Sequence, residues 1–195
     1  MHYLGQPLIF SCFYLIGCTP KYQIREIDDA VGSYPASHIV NEDDVSKYVL
    51  DSNIDDVGFV YLRLFAEHKP ENYEKLLRKS FLDMGFSKVL NSEQFSSLII
   101  DSGLSREIPS ISDKVSLHRA SQVLGKFLIF DFTIYNTGYS WFRQKLLVSD
   151  AFTSDTLLEF NRHKILWSDY DAELVYPLQN LIKRWVDDSR LKSRP

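Results

Sequence analysis

The chain has 195 residues, enough for one compact domain with a sizeable core and a short additional segment. Its formal net charge is −4, from 22 basic and 26 acidic residues, and lysine and arginine form no cluster along the chain. This balance excludes the basic surface that nucleic-acid-binding proteins need, so we expect no nucleic-acid partner.

The chain begins with its most apolar stretch, Leu8 to Gly17, and residues 1–17 contain no Lys, Arg, Asp or Glu. A run of roughly a dozen apolar residues is shorter than the about 20 that a transmembrane helix needs. Its length matches the hydrophobic region of a secretory signal peptide. We therefore predict that residues 1–17 are a signal peptide, with an uncleaved N-terminal helix or anchor as the alternative.

The end of this stretch, Leu15-Ile16-Gly17-Cys18, resembles the lipobox of bacterial lipoproteins. The resemblance implies cleavage after Gly17, a diacylglycerol on the Cys18 thiol, and a further acyl chain such as palmitate on the new amino group. Several acyl chains hold a protein durably on a bilayer, at ~0.8 kcal/mol per buried methylene. Because Thr19 rather than Asp follows the cysteine, the resemblance implies the outer membrane, facing the periplasm.

The cysteines bear on both the anchor and the folded part. Cys12 and Cys18 are the only two, and Cys12 leaves too little apolar sequence before it to be a good cleavage site. The positive charges expected ahead of the apolar run are missing, which departs from the lipoprotein pattern. From Thr19 onwards no thiol occurs, so the folded part holds no disulfide, thiolate metal site or cysteine nucleophile.

Residues 18–53 are polar, rich in turn-forming residues and poorly periodic. We interpret them as a lipidated N-terminus and a tether that holds the domain away from the membrane, with a short strand or helix near Val45 to Leu50. Residues 54–195 are then predicted to form a single α+β domain.

The first part of that domain has the pattern of a β-α-β unit. Alternating apolar residues predict a strand over Val57 to Phe65. Pro70 begins a helix that Gly85 ends, and a short strand follows from Phe86 to Leu90. Such a unit implies a parallel strand pair with a right-handed crossover.

Two more helices are predicted before the spacing of apolar residues changes to every second residue, as in strands. Asn91 or Ser92 caps the first helix, and Ser112 or Asp113 begins the second, which closes at Gly125. Three antiparallel strands follow, over Lys126–Tyr135, Trp141–Val148 and Leu157–Trp167. A last helix begins at about Pro177.

This order predicts the α+β class: a mixed sheet in which the β-α-β unit is followed by an antiparallel three-strand meander, with helices on one face. Over Val57 to Asp188 the order resembles small α/β domains of envelope proteins, such as the N-terminal domain of TolB and the periplasmic domain of curli-secretion lipoproteins. The turn after Asp150 is similar as well. The resemblance implies a fold, and it transfers no functional residues.

No motif for catalysis, metal binding or cofactor binding stands out, so we expect no enzyme activity, metal or cofactor. The patterns GxSxG, GxGxxG and GxxxxGK[ST] do not occur. Adjacent aspartates lie in predicted loops or at a helix end, where solvation explains them. The five histidines, none of which has a partner at metal-ligand spacing, are His2, His38, His68, His118 and His163.

The candidate functional surface is the sheet face that points away from the helices. If the apolar residues of the strand from Lys126 to Tyr135 pack under helices, the residues between them form this face. It mixes aromatic and charged side chains, as partner-binding surfaces do. Two alternatives are a solvated face of cross-strand pairs and addition of a partner strand at the sheet edge. The candidate residues are Tyr61, Arg63, Asp131, Thr133, Tyr135, Trp141, Arg143, Lys145, Glu159 and His163.

The sequence thus predicts a membrane-anchored envelope lipoprotein with an envelope protein as partner. It would act as a non-catalytic accessory or scaffold in secretion, adhesion or surface remodelling. One alternative is a periplasmic binding module for a glycan or lipid, which predicts a concave aromatic pocket. Another is a hydrolase, which predicts a cleft where a histidine of perturbed pKa touches a serine or a carboxylate.

Overall fold

The structure is a computed structural model that describes residues 32–36, 39–67, 70–138, 141–165 and 174–193. The predicted signal peptide, the lipobox and Cys18 lie outside these residues. Among the helices in the described ranges, none is both long and apolar enough to cross a membrane.

A six-stranded mixed sheet organises the chain, in the order β1-β6-β5-β4-β2-β3. Strand β2 runs parallel to both β3 and β4, and the remaining neighbours are antiparallel. The predicted α+β class, β-α-β unit and three-strand meander are confirmed. The strands are β1 Val45–Tyr48, β2 Phe59–Ala66, β3 Val89–Leu90, β4 Phe127–Gly138, β5 Trp141–Asp150 and β6 Thr156–Ile165.

Local capping sets the starts of the two middle helices. The Asn91 side chain accepts a bond from the Gln94 backbone N–H at 2.9 Å, and the Gln94 side chain bonds back to the Asn91 N–H, which is a capping box. Asp113 Oδ1 likewise accepts the Ser116 N–H at 2.9 Å. The helices are α1 Pro70–Asp83, α2 Ser92–Asp101, α3 Lys114–Leu124 and α4 Tyr176–Ser193.

The main core lies between one sheet face and the helices α1 and α4. Alternate residues of β4 point into it, as their period of two predicts. Phe130 is fully buried, with its ring centroid 4.5 Å from Phe81 of α1 and 6.4 Å from Trp185 of α4. Burial of these rings is the principal source of stability on this side of the sheet.

A second core on the opposite face corrects the prediction that the helices lie on one face. Phe59 of β2 and Phe127 of β4 pack there with Phe95 of α2 and Leu117 of α3. The physical reason lies in the central strands. Because β2 and β4 each begin with four consecutive buried apolar residues, both of their faces need cover, as in strands flanked by helices on two sides.

The described part of the predicted tether belongs to the fold, so the domain begins before residue 54. Of the strand or helix predicted near Val45 to Leu50, the structure has the strand: β1 pairs with β6 as an edge of the sheet. Nearby, the buried Asp51 carboxylate accepts bonds from Lys126 Nζ at 2.7 and 2.9 Å, and Asp150 Oδ2 lies 3.5 Å from the same ammonium. This ion cluster joins the N-terminal segment to β4 and β5.

Candidate functional site

Helices α2 and α3 cover only part of the second sheet face, and we call the rest the open face. Nine of the ten sequence-predicted residues lie on it, brought together from four strands. Strand pairing adds four residues, so its members are Lys47, Arg63, Phe65, Asp131, Thr133, Tyr135, Trp141, Arg143, Lys145, Leu147, Glu159, Asn161 and His163.

Tyr61 is the predicted residue that does not belong to the open face. Its side chain points to the same side of β2, but α2 covers it, and it is only 1% exposed. Its ring stacks on Phe95 with centroids 4.3 Å apart, and its hydroxyl lies 3.3 Å from Ser92 Oγ. Burial raises the pKa of this tyrosine. Tyr61 is therefore a core residue rather than a contact for a partner.

Both carboxylates of the open face stand beside a cation. Arg63 donates two hydrogen bonds to the Asp131 carboxylate and a third, 3.1 Å long, to the Ser112 carbonyl. Glu159 of β6 stands directly opposite Lys47 of β1 in the strand register. The charges along this row of the sheet therefore balance locally.

The rows nearer the β4–β5 hairpin have a different composition. Arg143 stands directly opposite Tyr135 and His163, and Lys145 stands opposite Thr133 and Asn161, so neither cation faces a carboxylate across the ladder. We call this part of the open face the cationic end, and its members are Phe65, Thr133, Tyr135, Trp141, Arg143, Lys145, Asn161 and His163.

Large aromatic side chains stand exposed at the cationic end. Phe65 is 61% exposed, at a part of β2 that lies beyond its pairing with the two-residue β3, and Trp141 is 40% exposed. The Trp141 ring lies 4.7 Å from the His163 ring, whose Nε2 is 2.7 Å from Thr137 Oγ1. These contacts hold the aromatic and imidazole rings in place next to Arg143.

The two described histidines do not form the cluster that the hydrolase hypothesis requires. His118 Nδ1 lies 2.5 Å from the Phe152 carbonyl oxygen, and its Nε2 lies 3.0 Å from the Gln122 side chain. Ser121 donates its hydroxyl to the His118 backbone carbonyl at 2.7 Å, and among the described residues neither imidazole ring bonds to a serine or a carboxylate. His2, His38 and His68 lie outside them. Within the same ranges, no group of three or more His, Cys, Asp or Glu side chains is arranged to hold a metal ion.

A groove between the N-terminal segment and α4 is the feature nearest to the pocket that the small-ligand hypothesis requires. It consists of two adjoining cavities of about 400 and 270 Å³, which share Val40, Leu181 and Arg184. Aliphatic and polar side chains dominate its lining. One tyrosine, Tyr34 or Tyr48, lines each cavity, and Tyr34 is itself buried and stacked on Tyr176. The groove therefore lacks the cluster of exposed rings that stacks on sugars.

Comparison with known proteins assigns no family. The chain matches no protein-family model and no curated protein. Among solved structures it is similar to the LpoB C-terminal domain from Salmonella enterica, with 14% identity, 56% of this chain and 83% of that chain covered, and a TM-score of 0.38. The lipoprotein GNA1162 from Neisseria meningitidis has 12% identity, coverage of 67% and 95%, and a TM-score of 0.37.

A PelC dodecamer from Paraburkholderia phytofirmans is similar at the same level. Its identity is 11%, it covers 76% of this chain and 95% of that chain, and its TM-score is 0.38. Likenesses this weak do not assign a function to the chain.

Four members of the open face escaped the sequence analysis, and Phe65 and Lys47 show two different reasons. Phe65 follows Arg63 by two residues in the same strand, so the alternation that selected Arg63 was a sufficient signal. Lys47 joins the face only because β1 pairs with β6, which is more than 100 residues distant along the chain. No local pattern reveals such a pairing.

Proposed function

We propose that this chain is an envelope lipoprotein, anchored through Cys18, whose domain is a non-catalytic accessory that binds a protein partner through the open face. The observation that carries the proposal is the exposure of Phe65 and Trp141 on the same sheet face as Arg143. Exposed aromatic rings and arginine are enriched at protein interfaces, and apolar groups left in contact with water favour association.

The anchor part of the proposal rests on the lipobox-like sequence Leu15-Ile16-Gly17-Cys18. It is tested by expressing the chain in its own host and measuring the intact mass of the N-terminal peptide. We expect a mature chain that starts at Cys18 and carries acyl groups. An unmodified peptide that still contains Leu8 to Gly17 would remove the lipoprotein interpretation.

The partner part is tested by photo-cross-linking in the same host. A photoreactive phenylalanine analogue replaces Phe65 on the open face, and the same analogue at Leu82 is the matched control. Leu82 is also exposed, at 48%, but it lies on α1, which covers the opposite sheet face. We expect a protein adduct that forms from position 65 and not from position 82. Equal labelling from both positions, or labelling from neither, would contradict binding through the open face.

A further inference from the structure

We propose that the cationic end of the open face binds an extended acidic segment of the partner protein. This inference rests on the proposed function, because it specifies the chemistry of the partner at the same surface. It concerns the part of the surface around Arg143 and Lys145, where the strand register places cations and aromatic rings together.

The first argument is charge complementarity. Asp131 has Arg63 as its ion-pair partner, and Glu159 stands opposite Lys47. Arg143 and Lys145 face tyrosine, threonine, asparagine and histidine across the ladder instead. The exposed Glu67 carboxylate, which accepts the Asn136 backbone N–H at 2.9 Å, offsets only one of these two cations. The chain as a whole is acidic, with a net charge of −4, so this end still carries the opposite sign to the average surface. Such a local reversal steers an acidic partner to one place on the domain.

The second argument is spacing. Arg143 and Lys145 are two residues apart on β5, so both side chains leave the same face, roughly 7 Å apart along the strand. Alternate side chains of an extended peptide have this same repeat. A segment with acidic residues at alternate positions, lying along β5, therefore brings one carboxylate to each cation. The planar guanidinium of Arg143 also suits a two-point bond to a carboxylate.

The third argument concerns the rings around the cations. Trp141 is exposed two residues before Arg143 on β5, and Phe65 is exposed in the same row as Lys145, on the far side of β4. Trp141 offers apolar contact to a segment that lies along β5, and Phe65 offers it to a long side chain that the segment extends across β4. Apolar contacts of this kind exclude water from nearby ion pairs, which strengthens the pairs.

An anionic membrane surface is the competing occupant, and the open face fits it less well. A membrane presents a continuous layer of negative charge rather than separate carboxylates. Such a layer laid on the open face would also meet Asp131 and Glu159, which border the cationic end, and Glu159 is exposed. Asp131 and Glu159 stand on either side of Leu147, so a narrow acidic segment that follows β5 only from Trp141 to Lys145 ends before it reaches them.

The inference is tested with the full chain, purified in detergent, and a fluorescently labelled peptide of alternating glutamate and threonine. We expect binding that weakens as salt is raised, and no binding of a matched peptide of alternating lysine and threonine. The double change Arg143→Glu and Lys145→Glu is expected to weaken binding by about tenfold or more. The control, Lys75→Glu with Lys88→Glu, makes the same change in net charge at exposed positions outside the open face and should leave affinity within about twofold.

Each other result overturns the inference. If the glutamate peptide does not bind, or binds the reversed variant as tightly as the control, the cationic end does not recognise acidic segments. If the wild-type chain, with its own acyl groups removed, binds phosphatidylglycerol vesicles through Arg143 and Lys145 but not the peptide, the surface recognises lipid.

The cross-linking experiment separates failure of this inference from failure of the proposed function. An adduct from position 65 that persists in the Arg143→Glu, Lys145→Glu variant leaves the partner site intact and removes only its acidic specificity.

Discussion

Two phenylalanines of strand β2 differ in whether a helix packs over them. Phe59 and Phe65 point to the same face of the same strand, yet Phe59 is 6% exposed and Phe65 is 61% exposed. Phe59 stacks on Phe127 with ring centroids 4.6 Å apart and packs under α2, whereas Phe65 extends beyond the helix. The alternation of side chains along a strand therefore decides to which sheet face a residue points, and the packing of the helices decides whether that residue is buried.

The lengths of the elements explain why the cover is incomplete. Helix α3 has 11 residues and α2 has 10, so each is about 15 to 16 Å long. Strand β4 has 12 residues and extends about 40 Å. Two short helices at one end of the sheet leave the other end to water or to a partner.

The largest expected effect is a difference in stability between variants of the two phenylalanines. Phe59→Ala should lower the free energy of unfolding by about 3–5 kcal/mol, because it removes a buried ring and leaves a cavity. Phe65→Ala should cost less than about 1 kcal/mol, because the ring is already in contact with water. Denaturant unfolding of both variants measures the difference. Equal losses would mean that the open face is part of the core.

A second comparison sets the buried ion cluster against an exposed ion pair. Lys126→Met leaves the Asp51 and Asp150 carboxylates buried without their cation and should cost about 3 kcal/mol. The control Lys183→Met removes an i,i+4 pair with Asp187 on α4 and should cost about 0.5 kcal/mol or less. Thermal and denaturant unfolding measure both. A Lys126→Met variant as stable as the control would show that the cluster does not hold the N-terminal segment.

The pH dependence of stability reports on the helix that provides part of the cover. Hydrogen bonds from Ser116 lower the pKa of Asp113, the N-cap of α3. A carboxyl group whose pKa is lowered on folding stabilises the fold above its unfolded pKa, and this stabilisation is lost as the pH falls through the folded value.

We therefore expect Asp113→Ala to lower the Tm near neutral pH and to lose less stability than the wild type on acidification. Glu107→Ala, at an exposed loop position, is the control and should follow the wild type. Calorimetry over an acid-to-neutral series measures both. A constant difference in Tm across that series would contradict the assignment.

The smallest expected effect on stability belongs to the cationic end. Arg143→Glu with Lys145→Glu should change the free energy of unfolding by no more than about 1 kcal/mol, because these side chains extend from the open face into water. Denaturant unfolding checks this directly. A stability close to wild type, together with a loss of peptide binding, would separate recognition from folding. A large loss of stability would instead assign the two cations a structural role.

Much of the fold was predictable from local patterns. The period of two in β4 identified its core side chains, and Asp131, Thr133 and Tyr135 as residues of the other face. The helix starts were predicted to within one residue, at Asn91 or Ser92 and at Ser112 or Asp113, because a side-chain acceptor at an N-cap satisfies a backbone N–H that has no partner within the helix. The structure has Asn91 and Asp113 as the caps. These features depend on residues a few positions apart, so a single sequence contains them.

What the sequence alone determined, then, is the order and type of the elements and the face to which each strand residue points. The tertiary structure decided which parts of those faces are covered. Tyr61 and Arg63 are two residues apart on one face, yet α2 buries the first and leaves the second in reach of solvent. Lys47 likewise joins the open face through the pairing of β1 with β6. Burial depends on which distant elements pack together, and periodicity along one strand carries no information about that.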